Sequence, residues 1–146
     1  MLFRSKRIDH GTILFAIAGS YTAVTVLALD GSSERFLLAF VWSATVIGAA
    51  IRMFWLHAPR WGVSTVYLVV GWSALLEIGP LSRSFNTIDI VLLVVGGALY
   101  TVGAVVYAAK RPNPWPLHFG FHEVFHALVV AAATAHYVLV VRLVGD

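Results

Sequence analysis

Five long stretches of the sequence are almost free of charged side chains, and they constrain the fold more than any other feature. They cover residues 12–29, 36–51, 61–76, 90–109 and 119–141. A helix needs about 20 consecutive apolar residues to cross the hydrocarbon core of a bilayer. Only helices and closed barrels satisfy their backbone hydrogen bonds in lipid, and these stretches lack the alternation that barrel strands require. We therefore predict an all-α membrane protein with five transmembrane helices.

The composition excludes most other classes of protein. Hydrophobic residues make up 60% of the 146 residues and charged residues 12%, whereas soluble domains carry about 25% charged residues. A soluble enzyme or a nucleic-acid-binding protein is thereby excluded. The absence of cysteine excludes a disulfide framework, a Cys-based metal site and a thiol nucleophile. No internal repeat or linker is evident, and all five prolines fall between the apolar stretches, so residues 1–146 are expected to form a single domain.

The distribution of Lys and Arg predicts the orientation of the helices. Seven of the ten basic residues precede the first stretch or lie in the second and fourth connections: Arg4, Lys6, Arg7, Arg52, Arg60, Lys110 and Arg111. Short loops rich in Lys and Arg stay in the cytoplasm. We therefore expect the N-terminus inside and the C-terminus outside.

Two histidines at the start of the last stretch are the strongest candidates for chemistry. His122 and His126 are four residues apart, which places both imidazoles on one helix face about one turn from each other. Two such nitrogens can bind one zinc ion; the alternative is an interfacial pair bonded to its neighbours. His118 lies about 12 Å from His126 on a straight helix and is expected to be interfacial. His136 lies about 15 Å beyond His126 and is expected to be a buried structural residue.

Asp9, just before the first stretch, is the third candidate. The first and last helices are predicted to cross the membrane in the same direction, so Asp9 and the histidine pair are expected at the same depth. An aspartate beside a metal can ligate it, or hold and deprotonate a bound water. The alternative is a first-turn residue that the helix dipole favours.

Residues 122–126 also match H-E-x-x-H, the zinc metalloprotease signature in which the glutamate is the general base. Intramembrane proteases add an aspartate in a Leu-Asp-Gly element, and this tripeptide occurs at 29–31. Asp30 is expected at the outer end of the first helix, a membrane thickness of about 30 Å from His122. It also precedes the motif, whereas those proteases place it afterwards. Both facts disfavour a protease.

A different family accounts for more of the chain. The glycine-rich segment 96–107, the Lys-Arg-Pro at 110–112 and the segment 119–126 resemble the C-terminal part of hemolysin III proteins, members of the progestin and adipoQ receptor (PAQR) superfamily. The opening Ile-Asp-His-Gly-Thr-Ile at 8–13 resembles that family's third helix. The resemblance implies that the five helices correspond to helices three to seven of a seven-helix bundle, and that the first two are missing from this sequence.

The resemblance also implies roles for the candidate residues. His122 and His126 correspond to two zinc-ligating histidines of the family's last helix, and Asp9 to the aspartate that faces the metal-bound water. The family's third zinc histidine lies in a Ser-x-x-x-His motif upstream of that aspartate, and only eight residues precede Asp9 here. The sequence is therefore either truncated or a reduced member with weakened metal chemistry.

The function implied by the resemblance is zinc-dependent, ceramidase-like hydrolysis of an amide or ester bond in a membrane lipid. The expected location is the plasma membrane, most simply the inner membrane of a bacterium. Membrane lipids are the expected partners; no nucleic acid and no soluble protein partner is inferred. The alternative, which the name hemolysin implies, is a non-enzymatic protein that forms pores and lyses cells, or a structural bundle.

Overall fold

The computed structural model of the protein describes residues 2–55, 59–115 and 118–145, and the side chains of these ranges from residue 12 onward except those of Arg52, Arg60 and Val63. These ranges contain six α-helices: α1 (Leu2–Ala28), α2 (Gly31–Phe54), α3 (Arg60–Gly71), α4 (Ile78–Ser84), α5 (Thr87–Ala109) and α6 (Phe121–Gly145). A short 3-10 helix, Ser73–Glu77, joins α3 to α4. No strand occurs in these described ranges, so the predicted all-α class is confirmed.

Within the described part of the chain, four segments are long and apolar enough to cross a membrane: Gly31–Ile51, Ser64–Ser84, Thr87–Ala109 and Phe121–Gly145. A fifth, Thr12–Ala28 within α1, is apolar over a shorter length. These segments follow the five predicted stretches in the same order. The chain is a multi-span membrane protein.

Helices α5 and α6 form an antiparallel pair that is fastened at both ends. At one end, Arg142 Nε donates a hydrogen bond to Asp89 Oδ1 at 2.9 Å. Asp89 is only 1% exposed, and its other carboxylate oxygen accepts from the backbone N–H of Asn86 in a capping box that begins α5. At the opposite end, the ring of Tyr107 lies against that of Phe121. The buried carboxylate is thus fully paired, which a charge in a membrane protein requires.

The third membrane segment is not one continuous helix. We predicted a span that ends at residue 76 with Pro80 in the following loop; instead the segment continues to Ser84 and is interrupted between Gly71 and Ile78. Proline lacks a backbone N–H, and its ring clashes with the carbonyl four residues earlier, so a regular helix cannot run through this position. Pro80 lies in the first turn of α4, where proline is tolerated.

Polar side chains bond to the groups at this break. The Tyr21 hydroxyl of α1 donates to the Gly71 carbonyl. Trp72 Nε1 donates to Thr101 Oγ1 of α5 at 2.8 Å, and Ser73 Oγ donates to a carbonyl three residues earlier at 2.7 Å. An unsatisfied polar group in lipid costs roughly several kcal/mol. Hydrogen bonds of this kind therefore allow a broken helix to lie inside a membrane.

The contacts also fix the directions of the helices. Gly48 of α2 lies against both Leu14 of α1 and Val66 of α3, and further along both helices Tyr21 reaches Gly71. Helices α1 and α3 therefore run in the same direction. Helix α3 is antiparallel to α5, because its earlier residues contact later residues of α5. It follows that α1 and α6 run in the same direction.

His136 of α6 occupies the middle of the bundle. It is 2% exposed, its ring packs edge-to-face on that of Tyr21 with centroids 6.3 Å apart, and its Nε2 lies 3.4 Å from the Leu93 carbonyl. The ring fits because residue 96 is glycine: a Cβ on Gly96 would overlap the His136 imidazole. The small residue and the buried histidine are therefore one packing unit, as is common between membrane helices.

We predict that Gly96→Ala lowers the free energy of unfolding by about 2 kcal/mol, because the added methyl group displaces the His136 ring. The matched control is Gly19→Ala in the interior of α1, where a Cβ would meet no described atom outside its own helix backbone within 4 Å. That change should be neutral or stabilise by up to about 1 kcal/mol, the usual gain of alanine over glycine in a helix. Thermal unfolding in detergent measures both. Equal effects of the two substitutions would contradict this packing.

Candidate metal site

His122 and His126 lie in the first two turns of α6, and their rings face each other. The two Nε2 atoms are 3.0 Å apart. The ring centroids are 4.6 Å apart, with the planes nearly perpendicular at 80°. Both side chains are half-buried. The regular helix produces this arrangement, since residues four apart are neighbours on one face. The structure thus brings the two candidate ligands together.

The two nitrogens are close enough to share a metal ion. Two zinc–nitrogen bonds of about 2.0–2.1 Å at a tetrahedral angle would set the nitrogens roughly 3.3 Å apart. The observed separation of 3.0 Å differs little from that value. The same pair can also form a hydrogen bond, with one neutral imidazole donating and the other accepting. As far as two ligands go, the donor set fits zinc.

The pair by itself is an incomplete zinc site. Among the side chains that the structure describes, no three His, Asp or Glu residues converge on one point. A catalytic zinc usually has three protein ligands and one open position. His118 is exposed in the turn before α6, where its backbone N–H donates to the Trp115 carbonyl at 3.0 Å.

Asp9 lies within α1, and its side chain is outside the described part of the structure. The contact between Tyr21 and His136 sets the register of α1 against α6. At the rise of an α-helix, Asp9 lies about 18 Å before Tyr21, while His122 and His126 lie about 21 Å and 15 Å before His136. Because α1 and α6 run in the same direction, the backbone of Asp9 lies at the level of the histidine pair.

The other acidic candidates have different surroundings. Glu123 Oε2 accepts a hydrogen bond from the backbone N–H of Gly120 at 2.8 Å, so one of its carboxylate oxygens is engaged at the start of α6. Asp30 follows α1 at the end remote from Asp9 and is exposed. Glu123 and Asp30, the two acidic residues that an intramembrane protease would need at one site, therefore lie at opposite ends of the bundle, as the sequence predicted.

Three aromatic residues form a wall at the histidine pair, and the sequence alone did not identify them. The aromatic wall consists of Tyr107 and Phe125, whose rings lie against the imidazoles, and Tyr67, whose ring lies behind them with its centroid 6.4 Å from that of Phe125. The Tyr107 ring centroid lies 6.4 Å from that of His122, and the Phe125 centroid lies 5.4 Å from that of His126. All three wall residues are buried. Packing of this kind restricts the rotamers of the imidazoles. The sequence signal that could have identified Tyr107 is its position near the predicted cytoplasmic end of the stretch 90–109.

Comparison with known proteins identifies relatives over most of the chain. The model of the family described as "Haemolysin-III related" matches residues 4–137. The Hemolysin-3 homolog of Bacillus subtilis (strain 168) is 34% identical over 128 residues, 88% of this chain and 57% of that protein. Hemolysin-3 of Bacillus cereus is 29% identical over 126 residues, with coverages of 86% and 55%. The chain thus spans about half the length of these curated relatives.

A shorter region is similar to a receptor. The adiponectin receptor protein of Drosophila melanogaster is 44% identical over 50 residues, 31% of this chain and 11% of the receptor. No solved structure matches the chain. The family match covers the candidate residues Asp9, His122 and His126. The chain therefore belongs to the haemolysin-III-related family, within the progestin and adipoQ receptor superfamily.

Proposed function

We propose that the protein is a zinc-dependent hydrolase that cleaves an amide or ester bond of a membrane lipid. The observation that carries the proposal is the approach of two Nε2 atoms to 3.0 Å at the start of a membrane helix. Ionisable groups in membrane segments are costly, so a pair with converging nitrogens is a candidate functional site. A multi-span membrane protein meets its lipids directly, which supports a lipid as the substrate class.

Each residue has a separate task in this proposal. His122 and His126 hold the metal through Nε2 as neutral imidazoles, and the aromatic wall keeps their rings facing each other. Bound zinc would supply a Lewis acid that polarises the scissile carbonyl and makes water acidic enough to lose a proton near neutral pH. The Asp9 carboxylate accepts that proton from the attacking water and then delivers it to the leaving amine or alcohol, as a general base and acid.

Zinc should stabilise the folded protein through the histidine pair. A ligand that binds only the folded state contributes about 2.7 kcal/mol at a hundredfold excess over Kd. We therefore expect zinc to raise the thermal midpoint in detergent by several degrees, and His126→Ala to abolish that rise. His118→Ala is the matched control, because this nearby histidine is exposed and precedes the helix. A zinc-dependent rise that survives His126→Ala would place the metal elsewhere.

Hydrolysis should be visible in lipid vesicles that contain amide-linked and ester-linked lipids. We expect mass spectrometry to detect released fatty acid with the wild-type protein and zinc, and none with His122→Ala. Asp9→Asn should slow release by at least about a hundredfold, the typical contribution of a general base. If Asp9 instead ligates the metal, Asp9→Asn also weakens zinc binding, so measuring both quantities separates the two roles.

The same vesicles test the rival function. The name Hemolysin-3 of the Bacillus relatives suggests lysis, and an encapsulated dye reports leakage directly. Dye leakage that persists in a His122→Ala/His126→Ala double variant, with no lipid hydrolysis by the wild type, would support a pore and contradict the hydrolase.

A further inference from the structure

We infer that Glu123 is a positioning residue rather than a general base: together with Asn113 it clamps the first turn of α6 and thereby holds His122 against His126. The inference rests on the proposed metal site. It concerns two acceptors, the side chains of Glu123 and Asn113, and the two backbone N–H groups that they bind. We refer to these four groups as the capping clamp.

The capping clamp supplies acceptors that a helix start lacks. The first N–H groups of any helix have no partner within the helix. Here the N–H of Gly120 donates to Glu123 Oε2 at 2.8 Å, and the N–H of Phe121 donates to Asn113 Oδ1 at 3.2 Å. With Gly120 as the capping position, Glu123 is the third residue of the helix, where a glutamate that reaches back to the cap is the favoured arrangement. Glycine has no side chain to offer, and Asn113 provides an acceptor from the loop.

The clamp closes tightly around Gly120. A Cβ on this residue would lie 2.7 Å from Asn113 Oδ1 and 3.3 Å from Glu123 Oε2. Any side chain at this position would therefore push the two acceptors away from their donors. Helix α5 begins with a related device, in which the Asn86 side chain itself accepts from two N–H groups and Asp89 bonds back to the Asn86 backbone. The first turn of α6 is capped in a similar way, but its two acceptors come from separate parts of the chain, Glu123 in the helix and Asn113 in the preceding loop.

The clamp acts on the metal site through His122. This residue lies between Phe121 and Glu123, so unwinding of the first turn moves it, whereas His126 lies one turn further into the helix. The Tyr107 ring packs against both Phe121 and His122, at 6.4 Å in each case. The 3.0 Å approach of the two imidazoles therefore depends on the first turn being wound.

The same geometry opposes the catalytic role that H-E-x-x-H implies. A general base must be within hydrogen-bond reach of the proton that it removes. Glu123 Oε2 instead accepts from the backbone N–H of Gly120, where the partial positive charge of the helix N-terminus favours a carboxylate. The match to the protease signature is thus explained by capping: glutamate is at this position because it is the third residue of a helix.

Three variants separate positioning from base catalysis. Glu123→Ala and Asn113→Ala should each weaken zinc binding about fivefold, measured by competition with a chromophoric chelator, because each removes one cap acceptor. Glu123→Gln keeps an acceptor oxygen but cannot serve as a base, and it should restore both zinc affinity and lipid hydrolysis to within about twofold of wild type. Glu34→Ala, in the first turn of α2, is the control. Loss of hydrolysis in Glu123→Gln with unchanged zinc affinity would overturn the inference.

A second readout needs neither zinc nor activity. In zinc-free protein, Glu123→Ala should accelerate amide exchange at Gly120 and shift the ¹⁵N imidazole resonances of His122 and His126, while Glu123→Gln and the control leave them in place. Unmoved imidazole resonances in Glu123→Ala would contradict the positioning role whatever the metal does. Conversely, shifted resonances in a protein that binds no zinc would refute the proposed function and leave the clamp standing.

Discussion

The close antiparallel contact between α5 and α6 holds the other helices of the bundle in place. It is fastened at one end by the buried ion pair between Asp89 and Arg142 and at the other by the ring of Tyr107 against the first turn of α6. Between these points, Gly96 makes room for the His136 ring. Burial of apolar side chains provides little driving force for helix association in lipid. Close packing and polar pairs stabilise the contact between the helices instead. His122 and His126 lie at the Tyr107 end of this contact.

The broken third segment connects this pair of helices to α1. At its interruption, the Tyr21 hydroxyl of α1 donates a hydrogen bond to the Gly71 carbonyl, and the same tyrosine packs on His136 of α6. One side chain thereby sets the height of α1 against both neighbours. That height brings the backbone of Asp9 to the level of His122 and His126. The hydrogen bond of Tyr21 in the middle of the bundle therefore determines which residues lie side by side at its end.

Much of this architecture is predictable from the sequence, because a membrane-spanning segment must be long, apolar and helical. Uncharged stretches predicted the order of the spans, and the four-residue spacing of His122 and His126 predicted a shared face. The break before Pro80 was not predicted, since a proline between two apolar runs is equally compatible with a loop. The contribution of Asn113 to the capping clamp could not be read either, because Asn113 approaches the first turn of α6 from a loop, and local spacing carries no information about such tertiary contacts.

We propose that His122 and His126 bind one metal ion, and zinc K-edge X-ray absorption on protein purified without chelators can show whether they do. We expect bound zinc with two imidazole ligands at about 2.0–2.1 Å and oxygen in the remaining positions, and loss of that signal in the His122→Ala/His126→Ala double variant. A spectrum without imidazole scattering, or one that is unchanged in the double variant, would contradict the proposed metal site.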